Sequence, residues 1–239
     1  MPNQTPLLLL VLGEAPEPVR RAHGPFASWY ERAAAEPLVV HDGRLGRLVR
    51  HVTEFAGILI SGSAASLADP EPASWMDEAC ELVVRAHDAG VPVLGVCFGH
   101  QLIGRAFGGK VIANPRGFEI GTEVVELTEE GRADRLFDGV PKALRANLTH
   151  YDVVVDPPER MRTLARNDQT DIQALAVSEH IRGVQFHPEI TGDIMRAYVD
   201  ARRAILSHRD PDALIAEAAD CPDALQVIHN FRRHFVARS

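Results

Sequence analysis

A cysteine between two glycines stands where one apolar run ends and another apolar period begins. The stretch reads VPVLGVCFGHQLIG and places Cys97 two residues from both Gly95 and Gly99. A strand that ends before such a cysteine and a helix that begins after it form the turn called a nucleophile elbow. The helix N-terminus would present unpaired N–H groups, that of Phe98 first, which favour a thiolate and can hold an oxyanion. Taken alone, Cys97 could equally be a buried structural cysteine.

A histidine and a glutamate in a later stretch could supply the base that a cysteine nucleophile needs. The stretch GVQFHPE places His187 at the predicted carboxyl end of a strand, where the following proline ends strand pairing. Glu189 can then turn back and hold the imidazole ring, which is the pattern of a base oriented by an acid. Open α/β sheets place their sites outside the carboxyl ends of strands, so we expect the elbow and this histidine to meet there.

The elements that must position these residues follow from short apolar runs that alternate with stretches of helical period. Strands are predicted over 7–12, 38–41, 57–61 and 92–96, and a helix over 75–89 that Gly90 ends. This alternation is typical of a mostly parallel sheet with helices on both faces.

After residue 110 the sequence pattern changes from alternating strands and helices to closely spaced strands. Closely spaced strand-like runs between 110 and 187 predict a second, partly antiparallel sheet region that extends the same domain. Runs of helical period over 193–208 and 223–235 predict two or three packed helices at the end. We therefore expect one domain over residues 1–239, with a C-terminal helical extension from about residue 191.

Composition and charge argue against a nucleic-acid-binding protein, a membrane protein and a metal- or cofactor-dependent protein. The 239 residues carry a net charge of −8, and the basic residues form no run longer than a pair, so we expect no nucleic-acid partner. The apolar run at 7–12 is too short for a bilayer and has no basic segment before it, so we expect neither a membrane span nor a targeting signal. Three cysteines at unrelated spacings fit a reducing cytoplasm. Without a metal-ligand spacing or a phosphate-loop frame, we expect no metal and no cofactor.

Several segments together resemble the class I glutamine amidotransferases, whose catalytic triad is Cys, His and Glu. The resemblance lies in VLGVCFGHQLIGRAFGG, GVQFHPE and ILISGS. Two further segments, NPRGFEIGTEVVELT and HPEITGDIMRAYVDARR, are similar to the stand-alone branch called GMP synthase-like glutamine amidotransferases. The resemblance covers roughly residues 7 to 235. It implies an α/β, flavodoxin-like fold with a mostly parallel central sheet, helices on both faces, a smaller antiparallel sheet region and C-terminal helices.

The resemblance also implies catalytic roles. Cys97 matches the nucleophile, His187 the general base and Glu189 the acid that orients it. The backbone N–H of Phe98 matches one donor of the oxyanion hole. The second donor falls on Ser63, in a turn that reads GSA where many members of the family read GGP.

A second set of residues matches the substrate-binding positions of the family. The set consists of Gln101, His150, Tyr151 and Asp152. Gln101 matches the residue that contacts the bound glutamine or its thioester, and the other three lie in a segment that contacts the α-amino and α-carboxyl groups. For His150 and Asp152, a polar turn at a strand end remains an alternative. Arg116 and Glu119 could form a rim of the pocket or an exposed ion pair.

Three functions follow from these residues. The first is a glutaminase that hydrolyses the side-chain amide of glutamine through a γ-glutamyl thioester and passes ammonia to a separate synthase partner. The second is a self-sufficient γ-glutamyl hydrolase or peptidase that acts on another γ-glutamyl amide. The third is a non-catalytic binding or regulatory module, against which the intact Cys97, His187 and Glu189 argue.

Overall fold

The computed structural model describes residues 5–45, 48–206 and 209–236. Its strands are β1 (Leu7–Val11), β2 (Val39–Asp42), β3 (Gly57–Ile60), β4 (Val93–Val96), β5 (Lys110–Ala113), β6 (Glu119–Leu127), β7 (Ala143–His150), β8 (Asp152–Val155), β9 (Arg162–Arg166), β10 (Ala174–Ala176) and β11 (Ile181–Val184). Its α-helices are α1 (Glu17–His23), α2 (Phe26–Ala34), α3 (Ser74–Asp88), α4 (Phe98–Ala106), α5 (Glu129–Ala133), α6 (Gly192–Ala201), α7 (Pro211–Glu217) and α8 (Pro222–His234).

Nine of these strands form one sheet in the order β2-β1-β3-β4-β11-β10-β9-β6-β7. From β2 to β11 each strand is parallel to its neighbour, and beyond β11 every neighbouring pair is antiparallel. Strands β5 and β8 pair with each other in a small antiparallel sheet. The predicted α/β fold is therefore confirmed, and most of the antiparallel strands continue the parallel sheet at its edge.

Strand β1 illustrates how the sheet acquires a core on each face. Its residues read LLLLV and are all buried, which is typical of a parallel strand covered on both sides. Successive side chains point to opposite faces of a strand, so Leu7 and Leu9 pack with α2, α6 and α8. Leu8 and Leu10 pack on the other face with α3 and α4. The prediction of helices on both faces is confirmed, and the carboxyl ends of the parallel strands share one edge of the sheet.

The helix predicted over 75–89 is present as α3. Its apolar residues recur with helical spacing, and those on one face are buried against the sheet. Gly90 follows the helix with a φ of 70°, a conformation that glycine adopts without steric cost. In the described part of the chain, no helix has both the length and the apolar character to cross a membrane.

Three helices close the chain, as predicted, but the first is shorter than its helical pattern suggests. Helix α6 ends at Ala201, and a short 3₁₀ helix, Arg203–Ile205, follows it. The predicted run over 193–208 includes Ser207 and His208, which lie outside the described residues. Thr191 is the N-cap of α6, because its side-chain oxygen accepts a hydrogen bond from the N–H of the third helical residue.

Candidate active site

Cys97 occupies a strained turn between a central strand and a helix. Strand β4 ends at the preceding residue and α4 begins at the next one, and Cys97 itself has a φ of 54° and a ψ of −103°. A non-glycine residue in this conformation carries strain of about 1–3 kcal/mol, which persists only where the surroundings impose it. The geometry is that of the predicted elbow.

Two glycines permit the close packing around this turn. A Cβ at Gly99 would lie 2.7 Å from the carbonyl oxygen of Ile60, the last residue of β3. A Cβ at Gly95 would collide with the Gly99 backbone in the first turn of α4. Helix α4 can therefore approach β3 and β4 only because neither position has a side chain.

The neighbouring parallel strand carries His187 to the same edge of the sheet. Strand β11 pairs with β4 so that Val184 lies opposite Val96, and His187 follows shortly after the strand ends. Between His187 and Cys97 lies Gly62, where an added Cβ would be 3.1 Å from His187 Cε1 and 3.9 Å from Cys97 Sγ. The carboxyl ends of β3, β4 and β11 thus bring these residues together, as expected for an open α/β sheet.

Glu189 holds the imidazole ring of His187. The Nδ1 atom of His187 lies 2.7 Å from Glu189 Oε1, and both side chains are buried, with exposures of 4% and 2%. A carboxylate accepts at Nδ1, so Nδ1 carries a proton, and among the described residues the buried Nε2 has no hydrogen-bond partner. The ring is therefore fixed in one orientation by a residue two positions along the chain.

The charges around His187 favour its protonated form. Burial alone would lower the pKa of its imidazole, but the negative charges of Glu189 and Cys97 outweigh burial and raise that pKa to about 10. An imidazolium beside the sulfur is the partner that a thiolate nucleophile requires.

Two tyrosines that the sequence did not single out lie beside this pair. Tyr30 of α2 and Tyr198 of α6 are almost fully buried. Burial, and secondly the charge of Glu189, raises the pKa of each phenol above its usual value, so both remain neutral hydroxyl groups. Tyr30 falls on the apolar face of α2 and has the sequence pattern of a core residue, so no local signal distinguishes it.

A cavity of about 300 Å³ opens over Cys97. Its volume lies at the lower end of the range for small-molecule sites, about 300–1,000 Å³. It is lined by Ser63, Ala64, Ala65, Ser66, Cys97, Gln101, Phe118, Thr149, His150, Tyr151, Asp152 and Arg202. The structure therefore brings every residue predicted from the substrate-binding segment to one cavity with the cysteine, while His187 and Glu189 lie behind it.

The two predicted oxyanion donors flank the cysteine. Phe98 is the first residue of α4, and a first-turn N–H has no partner within its own helix. Ser63 lies in the turn after β3 and lines the cavity. Positive φ among the described non-glycine residues occurs at Ala35, Cys97 and Asp156, so Ser63 occupies its turn with an ordinary φ.

Gln101 joins the helix of the elbow to the substrate-binding segment. Its side-chain Nε2 donates to the carbonyl oxygen of Asp152 at 2.8 Å and to Gln185 Oε1 at 3.2 Å. These bonds leave Oε1 as the atom of Gln101 that can face a ligand. The same bond to Asp152 fixes the segment over the cysteine.

His150 rests on a buried carboxylate that the sequence did not assign to the site. Its Nε2 lies 3.0 Å from Glu119 Oε2, and its Nδ1 lies 3.1 Å from the carbonyl oxygen of Asp152. Both neighbours are oxygen atoms that accept hydrogen bonds, so a proton on either ring nitrogen meets an acceptor. Burial alone would raise the pKa of Glu119, but His150 and hydrogen bonds from Asn167 and Thr170 leave that pKa below its usual value.

The structure excludes the exposed ion pair between Arg116 and Glu119. Glu119 is fully buried, whereas Arg116 pairs with Asp171 at the surface, 3.1 Å away. The reason is the register of the antiparallel pair β6 and β7, which places Glu119 directly opposite His150.

Aromatic side chains form the mouth of the cavity. Tyr151, which is 48% exposed, stacks on Phe118 with ring centroids 4.3 Å apart. The hydroxyl of Ser66 donates to Asp152 Oδ2 on the adjacent wall. Arg202 completes the lining and was missed by sequence reasoning. Among the described residues, no group of three or more His, Cys, Asp or Glu could hold a metal ion.

Comparison with known proteins gives a family and several relatives. The family described as "Glutamine amidotransferase class-I" matches residues 38–201, which is more than half of the chain. A glutamine-hydrolysing GMP synthase subunit of Pyrococcus abyssi is 41% identical over 113 residues, which are 46% of this chain and 58% of that protein. "Gamma-glutamyl peptidase 5" of Arabidopsis thaliana is 29% identical over 153 residues, 63% of this chain and 60% of that protein.

The fold also has solved neighbours. A glutamine amidotransferase from Thermotoga maritima superposes with a TM-score of 0.75 at 20% identity, over 98% of this chain and 99% of that chain. At this identity the likeness concerns the fold alone. The aligned segments cover no more than about three fifths of the two curated relatives named above.

Proposed function

Since this chain belongs to the class I glutamine amidotransferase family, we propose that it hydrolyses a γ-glutamyl amide through a thioester on Cys97. The observation that carries the proposal is the buried contact between His187 and Glu189 beside the elbow of Cys97. The cavity above the sulfur has the size of a small-molecule site. The proposed roles are nucleophile for Cys97, general acid and base for His187, and orienting acid for Glu189.

The first half of the proposed reaction forms the thioester. The Cys97 thiolate attacks the γ-carbonyl carbon, and the N–H groups of Phe98 and Ser63 hold the oxygen while it is negative. His187 gives its Nε2 proton to the departing nitrogen, the carbon–nitrogen bond breaks, and the amine leaves. Glu189 balances the imidazolium charge before the transfer and fixes the ring during it.

The second half regenerates the cysteine. His187, now neutral, takes a proton from a water molecule that attacks the thioester carbon. The carbon–sulfur bond breaks, glutamate is released and the thiolate re-forms beside the imidazolium. His187 therefore acts as the acid in the first half and as the base in the second.

We propose glutamine as the first substrate, with ammonia passed to a separate synthase partner. Similarity to the Pyrococcus abyssi protein supports this pairing, since that relative is named as one subunit of a glutamine-hydrolysing GMP synthase. A glutaminase of this kind is expected to be slow alone and faster when its partner binds. We place it in the cytoplasm, because its three cysteines are unpaired.

A self-sufficient γ-glutamyl peptidase is the second candidate. Relatives named gamma-glutamyl peptidase align over 62–67% of this chain in separate matches. The mouth formed by Tyr151 and Phe118 could accept a leaving group larger than ammonia, because Tyr151 is half-exposed.

Turnover by the purified protein separates the two candidates. Release of ammonia from glutamine and of the free amine from γ-glutamyl dipeptides is measured side by side, with Cys97→Ala as the inactive control. Turnover of glutamine above that of the peptides supports the glutaminase, and turnover of the peptides alone supports the peptidase. Absence of turnover and of any thiol-dependent γ-glutamyl adduct would contradict both and leave a non-catalytic module.

A further inference from the structure

Arg202 brings a positive charge into the cavity that contains Cys97. It follows the last residue of α6 and lines the cavity wall. Its guanidinium carbon lies 5.4 Å from the ring centroid of Phe118 and 5.7 Å from that of Tyr198. Within residues 5–45, 48–206 and 209–236 its Nε is buried without a hydrogen-bond partner, and no carboxylate pairs with the guanidinium. The aromatic rings therefore hold the group in place without neutralising it.

Other arginines of the same C-terminal segment are paired. They form ion pairs with carboxylates at 2.6–2.7 Å: Arg196 with Asp193, Arg203 with Asp200 and Asp212, and Arg209 with Glu123. Arg202 differs because it faces the cavity instead of the surface acids. The buried Nε of Arg202 has lost its hydration without gaining a hydrogen bond, so a ligand carboxylate that reached it would meet an unsatisfied donor.

The opposite charge lies on the same cavity. Asp152 lines it, whereas the Glu119 carboxylate lies behind the cavity wall, 3.0 Å from His150 Nε2. Both residues adjoin the aromatic mouth. Arg202 lies over the ring of Phe118, and Phe118 stacks on Tyr151, the residue before Asp152. One cation and one anion at this mouth match an α-amino acid head group, whose ammonium and carboxylate share a single carbon.

Resting on the function proposed above, we infer that Arg202 binds the α-carboxylate of the γ-glutamyl group. Arg202 is then a specificity-determining residue. It selects γ-glutamyl compounds whose α-carboxylate is free and disfavours those in which an amide blocks it. A planar guanidinium suits this role because it can donate two parallel hydrogen bonds to one carboxylate.

Binding to an inactive protein tests the inference without any chemical step. Calorimetry compares L-glutamine, its α-amide and γ-glutamylglycine on the Cys97→Ala protein, alone and combined with Arg202→Met or Arg203→Met. Methionine keeps an unbranched apolar stem between the rings, and Arg203 is the matched exposed arginine. Loss of a charged hydrogen bond predicts that the α-amide binds about 10- to 100-fold more weakly than glutamine. Arg202→Met should abolish this difference by weakening glutamine alone, and Arg203→Met should preserve it.

Three results would overturn the inference. Equal affinity of the Cys97→Ala protein for glutamine and its α-amide would show that no group in the cavity recognises the α-carboxylate. Equal weakening of both ligands by Arg202→Met would assign Arg202 to packing. If Arg202→Met instead weakens γ-glutamylglycine but not glutamine, the carboxylate it reads belongs to the leaving group. Failure of the proposed function is distinct, since it appears as lack of turnover by the protein with Cys97 intact.

Discussion

Replacement of Gly99 by alanine should both destabilise the protein and slow its reaction. An alanine Cβ would lie 2.7 Å from the Ile60 carbonyl oxygen and 3.0 Å from Ile60 Cβ, where ordinary contact begins at 3.4 Å. The clash is about 0.7 Å deep and involves backbone of β3, so α4 must move away from the sheet. Overpacking of this kind costs about 1–3 kcal/mol. Alanine stabilises a helix relative to glycine by only about 0.5–1 kcal/mol, so the net effect on the free energy of unfolding should be destabilising.

The movement of α4 would carry the elbow with it, because Cys97 immediately precedes the helix. Urea unfolding measures the loss of stability, and labelling of Cys97 by a chloromethyl ketone analogue of glutamine measures the displacement. In that labelling the sulfur forms a thioether and chloride leaves. Gly90→Ala is the control for the labelling, because an added Cβ there has no atom within 4 Å and Gly90 precedes β4 whereas Cys97 follows it. Its φ of 70° makes alanine strained, so this variant should also lose about 1–2 kcal/mol of stability but keep normal labelling of Cys97. A Gly99→Ala protein with unchanged stability and unchanged labelling would refute the packing argument.

Further predictions concern the buried charges. Glu189→Gln removes the carboxylate that raises the pKa of His187, so NMR titration should show that pKa falling from about 10. Turnover measurements should show kcat/KM reduced about 10²- to 10⁴-fold. Because the folded-state pKa of His187 is raised, its stabilisation is complete below the unfolded value of about 6.5 and is lost as pH rises towards about 10. Urea unfolding across that window should show a decline that Glu189→Gln lacks. Glu119→Gln leaves His150 without its anion and should cost about 3–5 kcal/mol, while Asp171→Asn at the surface should cost no more than about 1 kcal/mol.

The elbow was predictable because its signals are local. An apolar run, two glycines flanking Cys97 and a helical period follow one another within one short stretch, and each has a direct steric consequence. His187 was predictable for a similar reason, since a proline after an apolar run marks a strand end. Their meeting depended only on β4 and β11 being parallel neighbours, which the alternation of strands and helices favours.

The partners of His150 and the position of Arg202 in the cavity wall were not predictable, because they depend on contacts between segments that are distant in the sequence. Glu119 meets His150 through the register of β6 against β7, and a shift of one residue would have turned it to the other face. Arg202 enters the cavity because α6 ends just before it, whereas its helical pattern continues further. The helical period places Arg202 in a continuing helix and does not indicate that it faces the cysteine.

The proposed chemistry is tested most directly by capture of the γ-glutamyl group on Cys97. The protein is mixed with glutamine or a γ-glutamyl dipeptide, quenched in acid after one turnover, digested and analysed by mass spectrometry. The proposal predicts a γ-glutamyl thioester on the peptide that contains Cys97, with no adduct and no turnover in a folded Cys97→Ala protein. Turnover that continues in the Cys97→Ala protein would contradict the assignment of the nucleophile.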